Sequence, residues 1–444
     1  MDISVIGVEE WLNTWERDAK WDIAQSTGAS LSVDELLSLD GCGGETLLSK
    51  LRDERLNYGW IEGSPEFKSR VSSLYRLEID PYNILQTNGC TGANLHAIMA
   101  VVRPGDHVIA EWPTYAPLYE IPRTLGAEVE YWELKEELGW RPDISDLERL
   151  VRPDTRLICI NNASNPTGTV LDPETVRAIA EIAKSVGAYV LSDEVYMPLE
   201  RGVEFLSMAD AYDRAIVTNS VSKTFSAPAT RAGWVIADRE VSDRIRTMRD
   251  YTMISAGVAN DVAATYVLEN RERVLERNRV IVENNARIAQ AWIDSQPRVS
   301  WVAPQGVSTS YIRFDIPESD EDFCLRLLRD RGVLLVPGSR FELPCGARLG
   351  YCAPTDTLEK GLSLLADALA EFDQSRTAYS LPLVLCFGQR HRKRRWPICF
   401  LGLFWNEYTS GKIEYVDFCH TNLYVSAVHN SFFAEFGLIL RTSC

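Results

Sequence analysis

Leu157-Ile158-Cys159-Ile160, then Ser164-Asn165-Pro166-Thr167-Gly168, an amphipathic stretch from Pro173 to Val186, and Tyr189-Val190-Leu191-Ser192 leading into Asp193-Glu194-Val195-Tyr196 form one continuous passage of the chain. It reads as strand, loop, helix, strand, with Gly187 as the helix stop. The pattern extends outward on both sides. His107-Val108-Ile109-Ala110, Glu128-Val129-Glu130-Tyr131, Ala215-Ile216-Val217-Thr218 and Gly233-Trp234-Val235-Ile236-Ala237 are further short apolar or β-branched runs. Strands alternating with helices predict an α/β protein with a mostly parallel sheet covered on both faces. Ligands then bind at the loops after the carboxyl ends of the strands. Asn165 and Asp193 fall at two such places.

Beyond Asp193 and Tyr196 the chain reaches Ser220-Val221-Ser222-Lys223-Thr224-Phe225-Ser226, and Arg231 follows the lysine by eight residues. Asparagine, aspartate, tyrosine, lysine and arginine in this order meet the needs of an enzyme that holds pyridoxal phosphate. A lysine amine must form the Schiff base and then move the substrate α-proton. Burial and nearby positive charge keep such an amine partly deprotonated near neutral pH. A buried carboxylate keeps the ring nitrogen protonated. The ring oxygen wants hydrogen-bond donors, the phosphate wants backbone amides and cations, and a substrate carboxylate wants a bidentate arginine. Each short motif alone is commonplace; an Asp-Glu-Val-Tyr run is more often an ordinary strand end.

Composition narrows the classes. The 444 residues carry 45% hydrophobic and 25% charged side chains, as in a water-soluble globular protein of one or two domains. A net charge of −17 argues against nonspecific nucleic-acid binding, which depends on neutralising phosphates. No apolar run approaches the ~20 residues of a membrane helix, and the first residues lack the pattern of a signal peptide. The reading is cytoplasmic. Ten cysteines and five histidines show no metal-ligand spacing, so no metal is expected.

Over residues of about 20–372 the chain resembles the class I/II aminotransferases, pyridoxal-phosphate enzymes of fold type I. The resemblance implies a large domain with a seven-stranded-type, mainly parallel mixed sheet and a smaller α+β domain. It implies that Lys223 is the Schiff-base lysine, that Asp193 pairs with the ring nitrogen, and that Asn165 and Tyr196 hydrogen-bond the ring oxygen. Ser220 and Arg231 match phosphate ligands. Gly89, Cys90 and Thr91, in Thr87-Asn88-Gly89-Cys90-Thr91-Gly92-Ala93, match the turn whose amides cradle the phosphate. Tyr115 matches the aromatic stacked on the ring. Tyr58, ahead of Gly59 and Gly63, is similar to a tyrosine that reaches the neighbouring subunit's phosphate, which implies a homodimer with a shared active site. Arg348, in Ala347-Arg348-Leu349-Gly350, matches the clamp on the substrate α-carboxylate. Two departures stand against the housekeeping members: Asn161-Asn162-Ala163-Ser164 lacks a second Asn-Pro pair, and Ala229-Thr230 lacks glycine.

The cofactor does not name the reaction. The leading expectation is transamination of an amino acid or an amino-acid-like intermediate, in secondary metabolism. The alternative is carbon–sulfur β-elimination on cysteine conjugates, or ring closure as in aminocyclopropane-carboxylate synthases and capreomycidine-type cyclases. Leu56 to Pro65 and Asp22 to Ser26 look closer to these branches, and are similar to aminotransferase-like enzymes of fungal secondary-metabolite clusters. An inactive, cofactor-binding regulator is the competing class, against which the intact Lys223, Asp193 and Arg348 argue. No second arginine is placed for a distal carboxylate, and Trp60, Tyr115 and Tyr119 are candidate pocket aromatics.

The domains expected are an N-terminal arm with part of the small domain (1–50), a large cofactor domain (51–270), a small C-terminal domain (271–375) and an atypical tail (376–444). The helical pattern stops after Gln374. The tail holds four cysteines and eight lysines and arginines against four acids. Its Arg390-His391-Arg392-Lys393-Arg394-Arg395 run is assigned no function, and the tail reads as an extension foreign to the fold.

Overall fold

Asp172 begins the helix Pro173–Val186 by accepting a hydrogen bond from the Thr175 amide at 2.8 Å, and Pro173 fits the first turn. Val176, Ile179, Ala180 and Ala183 bury one face, and Gly187, with φ of 71°, ends it. These features belong to a computed structural model that describes residues 3–379, with side chains through residue 373. The helix lies beside the sheet that the alternating pattern predicts.

That sheet has seven strands: β1 (Ile84–Asn88), β2 (His107–Trp112), β3 (Glu128–Glu133), β4 (Thr155–Asn161), β5 (Tyr189–Asp193), β6 (Ala215–Ser220) and β7 (Ala232–Ile236). Their order is β1-β7-β6-β5-β4-β2-β3. Only β7 runs against its neighbours, β1 and β6, and every other pairing is parallel. Alternate residues feed two apolar layers. Ile109, Ile158, Ile160, Val190, Val217 and Trp234 pack on one face; Val108, Leu157, Cys159, Leu191, Ile216 and Val235 pack on the other. The period-2 geometry of a strand covered on both faces explains the continuous apolar runs. The edge strand β1 is absent from the sequence reading, because its buried Gln86 and Thr87 interrupt the apolar pattern.

A second, antiparallel sheet comprises β8 (Val299–Trp301), β9 (Ser310–Phe314), β10 (Val336–Pro337) and β11 (Gly346–Leu349), in the order β10-β11-β9-β8. Its core also takes Val8, Trp11, Ile23 and Ala24 from the start of the chain and Leu358, Leu362 and Leu365 from the last helix. Trp21–Asp22 pairs in parallel with Val333–Leu334. The last helix, Thr355–Tyr379, continues five residues past the expected stop at Gln374; Ser375 to Tyr379 contains no proline or glycine to end it. The basic run at 390–395 and the tail beyond Tyr379 lie outside the described residues. Among the described residues, no helix is long and apolar enough to cross a membrane, and no cluster of three or more metal-ligating side chains occurs.

Candidate active site

The carboxyl ends of β4, β5 and β6 open onto one cavity of about 150 Å³. Asp193, the last residue of β5, lines it, as do Ser220 at the end of β6 and Asn165 in the loop after β4. Lys223 lies three residues past β6. From the second sheet, β11 brings Arg348, and from the start of the chain come Ser26 and the N-terminal helix Gly7–Trp15 with Val8, Glu9 and Leu12.

Asp193 is buried and held by three donors. Its Oδ1 accepts from the Cys90 thiol at 3.3 Å and the Val195 amide at 3.1 Å, and its Oδ2 accepts from Asn94 Nδ2 at 2.7 Å. Asn94 is itself fixed, because its Oδ1 accepts from the Thr218 hydroxyl at 2.6 Å. Burial raises the Asp193 pKa, while Asn94, Val195 and Cys90 oppose the shift. A protonated ring nitrogen in the cavity is the counter-charge that would restore its ionisation.

Lys223 is half-buried and opens onto the cavity. Its Nζ donates to Ser26 Oγ at 2.6 Å and to Thr27 Oγ1 at 3.4 Å. Loss of solvent, then the charges of Arg348 and Arg231, bring its pKa down to about 8, against the opposing pull of Glu9 and Asp193. About a tenth of the amine is therefore neutral at pH 7, far more than for an ordinary lysine. Tyr196 lies beside it, with the Lys223 Nζ 6.0 Å from the ring centre. Burial pushes the Tyr196 hydroxyl up to about 12, so it stays a proton donor.

Arg348 is 2% exposed. Its Nη2 and Nε donate to the Ala24 carbonyl at 2.9 and 3.3 Å, and its Nη1 donates to Asn165 Oδ1 at 3.3 Å. Gly350 makes this contact feasible. A Cβ there would fall 1.7 Å from the Gln25 carbonyl oxygen, so only glycine lets residues 23–26 lie against β11. The same approach places Ser26 at the lysine. Asn165 is fixed through Asn161, whose Oδ1 accepts from the Asn165 amide at 2.8 Å and whose Nδ2 donates to the Asp193 carbonyl at 3.0 Å.

Pyridoxal phosphate fits this arrangement. Gly89, Cys90 and Thr91 open the helix Gly89–Val101, whose amino end favours an anion. Gly89 has φ of 70°, and a Cβ there would come within 2.6 Å of Arg231 Nη2, so glycine keeps this arginine beside the helix start. Ser220 and Ser222 add hydroxyls at the same end of the cavity. Tyr115 lines it too, its hydroxyl 3.1 Å from Thr91 Oγ1.

Of the residues singled out from sequence, Lys223, Asp193, Asn165, Tyr196, Ser220, Arg231, Cys90, Thr91, Tyr115 and Arg348 line one cavity, and Gly89 abuts Arg231 beside it. Tyr58 does not join them; it is 67% exposed. Trp60 is also exposed, and Tyr119 is buried outside the cavity with its hydroxyl 3.4 Å from Glu342. Reasoning from sequence assigned no role to Glu9, Ser26, Asn94, Asn161 or Ser222. Ser26, Asn161 and Ser222 stood in stretches quoted for other reasons, and Glu9 and Asn94 carried no motif.

The family pattern of aminotransferases of class I and II matches residues 45–365. The chain is 30% identical over 331 residues to the aspartate aminotransferase of Thermotoga maritima, covering 72% of this chain and 83% of the relative. It is 27% identical to the capreomycidine synthase of Streptomyces vinaceus, over 83% of this chain and 95% of that one. Among solved structures, a PLP-dependent aminotransferase from Streptococcus suis is 49% identical, with a TM-score of 0.82, covering 84% of this chain and 99% of the other. The fold and cavity define a pyridoxal-phosphate enzyme of fold type I. The chain belongs to the aminotransferase class I and II family.

Proposed function

We propose that the protein transaminates an α-amino acid, with Lys223 as the proton carrier, Asp193 as the partner of the ring nitrogen and Arg348 as the clamp on the α-carboxylate. The observation that carries this reading is the convergence of all three on one cavity. Pyridoxal phosphate, when bound, supplies a ring that accepts the electrons released at the substrate α-carbon. Asn165 and Tyr196 would face its ring oxygen, Tyr115 its face, and Gly89, Cys90, Thr91, Ser220 and Arg231 its phosphate. Arg348 orients the amino acid through two parallel N–H donors, and its burial excludes the water that would weaken that pair. Lys223 takes the α-proton at Nζ and returns it at a neighbouring atom, which its pKa near 8 suits.

The division into a large part (51–270) and a smaller one (1–50 with 271–375) belongs to this reading, because the cavity draws on both. So do a cytosolic homodimer and a role in secondary metabolism. Tyr58 sits among the exposed Leu56, Trp60 and Ile61, and such an apolar stretch favours burial by a second copy. A second reading, ring closure, draws on the similarity to capreomycidine synthase.

The test is a single turnover of holoenzyme with an amino-acid panel and cysteine conjugates, without a keto-acid acceptor. Conversion of the cofactor to its amine form with no ammonia released supports transamination. Ammonia with a keto acid and a regenerated cofactor spectrum identifies a lyase, and a cyclic amino acid identifies the second reading.

A further inference from the structure

Five acidic or basic side chains line the cavity: Lys223, Arg231, Arg348, Asp193 and Glu9. The proposed function employs four of them. Glu9 has no task in it; it is an exposed residue of the helix Gly7–Trp15, and among the described residues its side chain makes neither a hydrogen bond nor an ion pair. Its position is nevertheless set by the fold. The helix Gly7–Trp15 is anchored away from the cavity by Trp11, which is buried and donates its Nε1–H to the Leu335 carbonyl at 2.9 Å. Arg340 adds a second anchor, reaching Glu10 at 2.8 Å and Glu321 at 2.6 Å. Val8 and Leu12, one turn apart, present an apolar face to the cavity with Glu9 between them. The carboxylate acts on the site's charges: it opposes the lowering of both the Lys223 and Arg348 pKa values.

We infer that Glu9 receives a positively charged side-chain terminus, so that the amino acid bound by Arg348 is a basic one, a diamino or guanidino acid. This rests on the proposed amino-acid reading of the cavity. A dicarboxylic amino acid needs a distal cation, and the cavity's cations are already engaged. It would instead bring a second carboxylate towards Glu9, and like charges at close range disfavour the wrong ligand. The flanking Val8 and Leu12 suit the methylenes of a long basic side chain, whose apolar stem and charged end prefer such a split surface.

The experiment compares kcat/KM of the holoenzyme for arginine, lysine, norleucine and glutamate, with dissociation constants read from the cofactor absorbance, in the native protein and in Glu9→Gln and Glu9→Lys. The native enzyme is expected to favour arginine or lysine over norleucine and glutamate by roughly two- to fivefold, the scale of one ion pair at an exposed carboxylate. Arginine ahead of lysine indicates a guanidinium, and the reverse an amine. Glu9→Gln should collapse the ratio, and Glu9→Lys should raise glutamate relative to arginine. A native preference for norleucine or glutamate overturns the inference, even when Lys223-dependent turnover of those substrates upholds the aminotransferase reading. An equal change for all four substrates in Glu9→Gln also overturns it, since Glu9 would then act on Lys223. Absence of any Lys223-dependent change in the cofactor spectrum with any amino acid would overturn both.

Discussion

The two sides of the cavity are built in different ways. On one side, Asn165, Asp193, Ser220 and Lys223 come from the ends of adjacent parallel strands, so their spacing in space follows from the sheet itself. On the other, Glu9 and Ser26 come from the start of the chain and Arg348 from more than 300 residues later, joined by a glycine contact and the small-sheet core. The first side holds what every reaction of this chemistry needs. In the proposed function, the second holds Arg348 and Glu9, which would meet the substrate, and Ser26, which meets Lys223. On that reading, chemistry rests on local geometry that the sheet enforces, and selectivity rests on a long-range assembly that can vary without disturbing it.

The largest effect should come from the strand side. Lys223→Ala removes the group that carries the α-proton in the proposed function, and turnover should fall by at least about 10³-fold, measured as kcat on protein reconstituted with cofactor. A variant that keeps a tenth of native turnover would break the comparison, since the proton would then have another carrier. Next comes Arg348→Gln. Loss of a buried guanidinium aimed at a carboxylate should lower kcat/KM for the amino acid by about 10²-fold, the scale of a truncated buried charge pair. Cofactor affinity should change far less; an equal loss of both would erase the distinction between the two sides.

The same division explains what could be read from the chain. Asp193 and Lys223 stand in short runs beside strand ends, and parallel α/β architecture assigns a meaning to that position before any coordinates exist. Arg348 was legible through family resemblance rather than through geometry. Glu9 and Ser26 were not legible, because nothing in Gly7-Val8-Glu9-Glu10-Trp11 or Ala24-Gln25-Ser26 says that these segments return to the cavity. Only the close approach at Gly350 and the burial of Trp11 do. Strand β1 was hidden for a different reason: its Gln86 and Thr87 are buried polar residues, and binary patterning misreads those. Tyr58 lies outside its own chain's cavity, and the role expected for it, at a neighbouring subunit's phosphate, belongs to the proposed homodimer.

Ser26→Ala sharpens the comparison from the substrate side. Its hydroxyl accepts from the Lys223 ammonium at 2.6 Å, so its loss removes stabilisation of the charged form. Lys223 begins near a pKa of about 8, and the neutral amine is the form that can attack. The rate at which the apoprotein captures pyridoxal phosphate should therefore rise with pH and level off above about 8. In Ser26→Ala the midpoint should move to lower pH, with kcat reduced less than tenfold. A midpoint that moved upward would mean that the hydroxyl favours the neutral amine instead.

The smallest effect on activity should come from Glu111, behind the strand ends. One carboxyl oxygen accepts from the Asn161 amide at 2.8 Å, and the other has no partner among the described residues. Burial pushes this carboxyl up to about 8, despite the opposing Asn161 hydrogen bond. The folded protein therefore keeps a proton that the unfolded chain releases above the ordinary carboxylate range. Folding stability should fall as pH rises from about 4.5 to 8, with a slope of at most roughly 1.4 kcal/mol per pH unit from this group. Glu111→Gln matches the neutral carboxyl in shape, preserves the acceptor for Asn161 and cannot ionise. Its melting temperature relative to native protein should climb by a few degrees between pH 5 and pH 8, while kcat stays within about twofold. Parallel melting curves across that range would mean that Glu111 is ionised in the folded state. The anchor of Asn161, and through it of Asn165 and the Asp193 carbonyl, would then be a charged one, and the strand side would owe its geometry to more than the sheet.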